Sequence, residues 1–223
     1  WACCQAIAAR LQRLPADTAL PEEIQALPAA LAGTYYANLS VFRSAPDTWA
    51  IDQLFPILPI HRLDEAPTRL GSFADLTCDS DGKFDRFIDA GSRAGGGHSK
   101  PLLELHPLRP TEPYWIGLFL AGAYQEVMGN LHNLFGSTNC VHIRLAELGR
   151  YRIDHVVRGN TNAEVLQAME HDPALLLERL RLASEAAIGR GSLAIQDARR
   201  LMAHLRASLE QTTYLQPPSP PQV

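Results

Sequence analysis

The sequence predicts a mixed β and α chain: an antiparallel β-barrel or sandwich flanked by an N-terminal helical segment and a C-terminal helical extension. Three observations carry this. Apolar residues recur at helical spacing near both ends of the chain. The middle breaks into short apolar runs separated by turn residues, which is the texture of strands. No long helical pattern alternates with those runs, so an all-parallel α/β sheet is excluded.

The helical entry comprises Ala2–Leu14 and a second short helix opened by Pro21-Glu22-Glu23, with Pro at its first turn, closed by Gly33. The strand candidates are Leu54–Pro59, Ser72–Cys78, Leu102–Leu105, Tyr114–Leu120, Val141–Leu145 and Tyr151–Val157. Asp89–Lys100 is rich in glycine but matches neither phosphate-loop spacing, and it reads as a flexible hairpin loop. Thr161-Asn162-Ala163-Glu164 is a capping box that opens a helix running to His171. Asp172-Pro173 caps the next helix, which ends at Gly189 and Gly191. A third begins after Ser192 and puts Ile195, Ala198, Leu201, Met202, Leu205 and Leu209 on one face. The segment 217–223 is rich in Pro and reads as disordered. The expected boundaries are 1–33 for the helical entry, 34–160 for the β domain, 161–212 for the helical extension and 213–223 for the tail.

Composition narrows the function classes. The chain has 223 residues, 46% of them hydrophobic and 20% charged, which is enough to bury a core. Lys and Arg number 20 against 24 Asp and Glu, a net charge of −4 without a basic run, so neither nucleic acid nor an anionic membrane is an expected partner. The longest apolar run, Tyr114 to Tyr124, is too short to span a bilayer, which needs about 20 residues. The four cysteines form no CxxC pair, which favours a reducing, cytoplasmic setting. The chain starts at Trp1, inside a helical pattern, and is expected to be a piece of something longer.

The densest polar cluster is Thr77-Cys78-Asp79-Ser80-Asp81-Gly82-Lys83, directly after an apolar strand. A thiol beside two carboxylates keeps its proton and can serve as a donor. Paired carboxylates can hold a cationic group by charge-assisted bonds. The same residues also make a good β-turn, with Asp81-Gly82 as its corner. Two further places stand out. In Gly122-Ala123-Tyr124-Gln125, small residues admit a ligand and a tyrosine hydroxyl can donate to a phosphate, although a core tyrosine at a strand-to-helix junction reads equally well. In Ser44–Ala50, Asp47 sits in a Pro-marked turn next to Trp49, as a cation pocket or a capped turn. The eight histidines show no metal-site spacing, and no serine-hydrolase elbow is present.

Taken in order, the blocks NLSVFRSAPDTWAIDQ (Asn38–Gln53), LFPILPIHRLDE (Leu54–Glu65), LTCDSDGKFDRFI (Leu76–Ile88), the long block Leu103–Ile143 and TYLQ (Thr213–Gln216) resemble the biosynthetic, pyridoxal-phosphate-dependent arginine decarboxylases. The resemblance covers Trp1 to Gln216. It implies an enzyme of the alanine-racemase-like class, with an N-terminal α/β barrel that holds most of the cofactor and a C-terminal β-barrel; this chain resembles the C-terminal part alone. By the resemblance, Cys78 is the donor that protonates the substrate α-carbon after CO₂ leaves. Asp79 reaches the substrate's distal cation across a homodimer interface, and Asp47 is a second such carboxylate, contributed within the other subunit's site. Asp81 is a weaker substrate contact, and Tyr124 bonds the cofactor phosphate. The implied reaction converts L-arginine to agmatine and CO₂ in polyamine synthesis. The family's Schiff-base lysine lies in the N-terminal barrel; Lys83 and Lys100 are the chain's only lysines and neither matches it, so the chain alone is expected to be inactive. Mg²⁺ is often associated with the family, but no ligand cluster suggests a site. The rival readings are decarboxylation of ornithine or diaminopimelate, and a non-catalytic dimerising module.

Overall fold

The computed structural model describes residues 2–11, 14, 18–89 and 99–216. They divide into two compact units, Trp1–Val41 with Ala45–Val127, and Phe42–Ser44 with Met128–Val223. The middle of the Gly-rich segment, 90–98, and the Pro-rich tail, 217–223, lie outside the described residues.

The first unit begins with helices α1 (Ala2–Leu11), α2 (Glu22–Gln25) and α3 (Leu27–Ala30). Gly33 does not merely close the helical entry. It starts strand β1 (Gly33–Tyr36), which the apolar pattern did not predict. Next along the chain come the short helices α4 (Val41–Ser44), of which only Val41 belongs to this unit, and α5 (Pro46–Ala50), the latter where a turn was expected. Pro46 sits at the first turn of α5, where its fixed φ suits the helix and its missing N–H costs nothing. Strands β2 (Ile57–Pro59), β3 (Arg69–Ala74), β4 (Lys83–Phe84), β5 (Phe87–Ile88), β6 (Ser99–Lys100), β7 (Leu103–Leu105) and β8 (Ile116–Leu118) complete the unit, with helix α6 (Ala123–Met128) at its end.

Strand β3 is central. It pairs parallel with β1 on one side, Gly33 opposite Gly71, and antiparallel with β4 and β7 on the other. The parallel pair corrects the expectation of a purely antiparallel sheet. A Cβ on Gly71 would lie 2.8 Å from the Gly33 carbonyl and the Tyr35 ring, so only glycine admits β1 this closely. Side chains of β3 alternate, with Gly71 and Phe73 buried, as expected of a strand with one face in a core. That core consists of Val41, Ala45, Phe55, Phe73, Phe84, Phe87, Leu103 and Leu105. Phe73 meets Phe87 and Tyr35 edge-on, each with ring centroids 6.1 Å apart.

The other described strands pair as ribbons, β2 with β8 and β5 with β6. Pairing of Phe87 with Lys100 and of Ile88 with Ser99 brings the ends of the Gly-rich segment together, as in a hairpin. Hydrogen bonding among the described strands does not close into a ring.

One carboxylate locks the end of β3. Asp75 is buried, and its Oδ2 accepts the Val41 N–H at 2.8 Å. Its Oδ1 accepts the Thr77 N–H at 2.8 Å and the Thr77 hydroxyl at 2.7 Å. Its own N–H donates to the Gly82 carbonyl at 2.7 Å, closing the β3–β4 loop at the base. A Cβ on Gly82 would lie 2.2 Å from Asp75 Oδ1, so the loop can return past the carboxylate only as glycine.

The second unit holds the antiparallel ribbon β9 (Cys140–Leu145) and β10 (Tyr151–Val157), with a bulge between Ile153 and His155. Helices α7 (Asn162–Ala168), α8 (Pro173–Gly189) and α9 (Ile195–Glu210) follow, all three as predicted to within a few residues. The Thr161 hydroxyl accepts the Glu164 N–H at 3.2 Å and the Glu164 carboxylate accepts the Thr161 N–H at 2.7 Å, a complete capping box. Asp172 caps α8 through the Ala174 N–H at 2.8 Å. On α9, Ala198 and Leu209 are buried, whereas Ile195 and Leu201 of the predicted stripe are exposed. The chain returns after α9 to dock. Tyr214 is buried and donates to the Gly136 carbonyl at 2.7 Å, while the Thr213 hydroxyl accepts the Gly136 N–H at 2.9 Å. Among the described residues, no helix is long and apolar enough to cross a membrane.

Two stability predictions follow from these contacts. Asp75→Ala strands two backbone donors and should cost about 3 kcal/mol in urea unfolding. Thr161→Ala should cost about 1 kcal/mol. The Thr161 N–H, with help from Arg158, holds the Glu164 carboxyl below its ordinary range. Its contribution is therefore present above the usual carboxylate range and is lost as pH falls through the depressed folded value. Unfolding of α7 followed by amide exchange between neutral and acid pH checks that sign.

Candidate functional site

The sequence-predicted residues sit at two places on the first unit. Cys78, Asp79 and Asp81 lie on the β3–β4 loop, past the strand's end at Ala74 rather than on the strand itself. Asp79 builds the turn: its Oδ1 accepts the Asp81 N–H at 2.9 Å, and its carbonyl accepts the Gly82 N–H at 3.1 Å. The turn reading of CDSDG and the presentation of a thiol are thus the same structure. With Asp79 and Gly82 turning the chain over the Asp75 anchor, Cys78 is left exposed and Asp79 half-buried. Cys78 lines a depression of about 450 Å³ together with Tyr36, Thr77 and Asp79.

Asp81 points to α5. Its Oδ2 accepts the Trp49 indole N–H at 3.3 Å. Trp49 and Asp81 flank a cleft of about 220 Å³ that also contains Asp52, Lys83, Asp85 and Arg86. Four of the charged residues there are paired, Arg86 with Asp52 at 3.2 Å and Lys83 with Asp85 at 2.8 Å.

Asp47 and Tyr124 form the second place, joined by a residue that the sequence had quoted without a role. Gln125, buried next to Tyr124 on α6, donates from Nε2 to Asp47 Oδ2 at 2.5 Å and accepts the Asp47 N–H at its Oε1 at 3.1 Å. The amide thereby satisfies one of the orphan donors in the first turn of α5. Tyr124 itself is 75% exposed, so the core-tyrosine reading fails, and among the described residues its hydroxyl has no hydrogen-bond partner. A Cβ on Gly122 would meet nothing within 4 Å. An open approach and an unengaged hydroxyl fit the phosphate end of a cofactor. Leu120, at φ +60°, turns the chain out of β8 towards this helix.

The lysines do not fit the other end of pyridoxal phosphate. Lys83 is paired with Asp85, whose hydrogen bond pushes the ammonium above its ordinary range, opposite to what a nucleophilic amine needs. Lys100 is held by Glu104 at 2.5 Å. No group of three His, Cys, Asp or Glu among the described residues is placed to hold a metal ion.

Sequence reasoning missed Asp75 and Gln125. Asp75 had a local signal, an Asp two residues before a Thr at the end of an apolar strand, which is an Asx-turn pattern. Gln125 had none, because its partner lies far away in the chain.

Comparison with known proteins extends beyond these residues. Residues 163–215 match the family described as "Arginine decarboxylase C-terminal helical extension". The chain is 69% identical over 216 residues to the biosynthetic arginine decarboxylase of Prochlorococcus marinus (strain MIT 9303), covering 97% of this chain and 32% of that protein. It is 53% identical to that of Thermosynechococcus vestitus, over 96% of this chain and 32% of the relative. The crystal structure of the biosynthetic arginine decarboxylase SpeA from Campylobacter jejuni superposes with a TM-score of 0.68 at 32% identity, over 85% of this chain and 30% of that one. The chain spans about a third of the length of the curated relatives it matches. Read together with the order of its sequence blocks, these matches mean that the chain belongs to the biosynthetic arginine decarboxylase family and corresponds to the C-terminal part of its members.

Proposed function

We propose that this chain supplies the substrate-recognising and proton-donating residues of an arginine decarboxylase, which converts L-arginine to agmatine and CO₂. The observation that carries the reading is the exposed thiol of Cys78, flanked by Asp79, on a loop whose base is fixed by Asp75. The names of relatives up to 70% identical support arginine over ornithine or diaminopimelate as the substrate.

In this reading Cys78 donates its proton to the substrate α-carbon once the carboxylate has left as CO₂, and water reprotonates the thiolate. Asp79 and Asp47, one from each subunit of a homodimer, hold the guanidinium, whose planar donors suit two carboxylates. Asp81, held by Trp49, adds negative charge near that end. The Tyr124 hydroxyl donates to the phosphate of pyridoxal phosphate, which when bound supplies the electron sink for decarboxylation. The lysine that would carry the cofactor comes from an N-terminal α/β barrel, and residues 34–160 serve as the C-terminal β domain.

Two measurements test this. Incubated alone with pyridoxal phosphate and L-arginine, the chain should release no CO₂; release at an enzymatic rate would overturn the assignment of the lysine elsewhere. In the holoenzyme that contains this chain, Cys78→Ala should lower agmatine formation about a hundredfold while CO₂ release continues and a transamination product appears. Agmatine formed at the unaltered rate would show the CDSDG loop to be only a turn.

A further inference from the structure

We infer that Gln125 is a positioning residue for substrate specificity: it fixes the Asp47 carboxylate so that one oxygen, with its charge uncompensated, faces the cationic end of the substrate. The inference rests on the reading of Asp47 as a substrate carboxylate and extends it to a residue that does not touch substrate.

Three observations carry it. The clasp is reciprocal, with Gln125 Nε2 donating to Asp47 Oδ2 at 2.5 Å and Gln125 Oε1 accepting the Asp47 N–H at 3.1 Å. Two bonds to one residue fix both the backbone and the χ angles of Asp47, and Gln125 is buried at 6% exposure, so the amide is itself held in place. Gln125 is also neutral. Among the described residues, no Lys or Arg pairs with Asp47, and its Oδ1 accepts no hydrogen bond. The neighbouring carboxylates differ, since Asp52 has Arg86 and Asp85 has Lys83. A carboxylate oriented by an amide keeps its full negative charge for a ligand, whereas one oriented by a cation has already spent it. Asp47 is half-buried, where such a charge acts through less water than at the open surface.

The chemistry that this arrangement recognises is a cationic group at the end of a flexible chain. Because Gln125 adjoins Tyr124 on α6, the same short helix places the proposed phosphate contact and orients the carboxylate at the far end of the ligand.

The test is a double-mutant cycle on the holoenzyme that contains this chain, read by agmatine binding and by kcat/KM for L-arginine against its uncharged analogue L-citrulline. Gln125→Ala should weaken agmatine binding and raise the KM for arginine about tenfold, with a smaller change in kcat, and should lower the preference for arginine over citrulline. In an Asp47→Asn background the same substitution should add little, because Gln125 acts through Asp47. Gln125→Glu, which keeps the size but sets a like charge against Asp47, should lose more than Gln125→Ala, and serves in its place should the alanine variant not fold. A Gln125→Ala effect that is undiminished in the Asp47→Asn background, or an unchanged arginine preference, overturns the inference and leaves Gln125 as a helix clamp. Normal agmatine binding by Asp47→Asn overturns instead the role given to Asp47, and with it the inference.

Discussion

The architecture of the candidate site depends on one buried carboxylate. Asp75 closes the strand that precedes it, accepts the first N–H of α4 and holds Thr77 at the start of the loop. A carboxylate inside a protein is costly unless donors surround it. Here the donors are the backbone amides of two separate segments and a hydroxyl, so satisfying the charge and assembling the loop are a single event. The cysteine loop can therefore project outward without being loosely held. The loop is anchored from inside by Asp75 and turned by Asp79, and Cys78 stays exposed at its surface.

The same division of labour appears at the second cluster. Gln125 lies inside and Tyr124 outside, one residue apart on a short helix. In both places a buried, hydrogen-bonded polar residue lies beneath an exposed candidate residue of the site. The charged residues around Asp52 and Asp85 are matched internally and so contribute little net field. Asp47 stands apart from them in being oriented by a neutral partner.

Much of this was legible in the sequence wherever the cause is local. The capping box at Thr161, the Asp172-Pro173 cap and the periodicity of α8 and α9 each depend on neighbours within a turn or two, and these helices appear where expected. Strand β10 likewise matches its predicted span, Tyr151–Val157. What escaped was non-local. Strand β1 is short, and its place is set by the glycine contact with β3 rather than by its own pattern. Asp47 was expected in a turn because Pro46 signals one, but Pro46 equally opens a helix, and the Gln125 clasp completes it. The candidate site residues were named through long sequence blocks, while the residues that hold them in place, Asp75 and Gln125, have partners that no short window contains.

The parallel pairing of β1 with β3 has a corollary for the order in which the unit assembles. Parallel neighbours cannot be joined by a tight turn, and here the crossover runs through α4 and α5 before the chain returns as β3. Strand β4, by contrast, meets β3 across a short loop. Closing the short loop costs less entropy and comes sooner than closing the long crossover. The bond from Val41 to Asp75 requires both closures, so it is expected among the last to form. Asp75 then acts as a latch on a nearly finished fold rather than as its seed: slowing its bond to Val41 would delay the docking of Val41 and leave the early hairpin with its cysteine loop untouched.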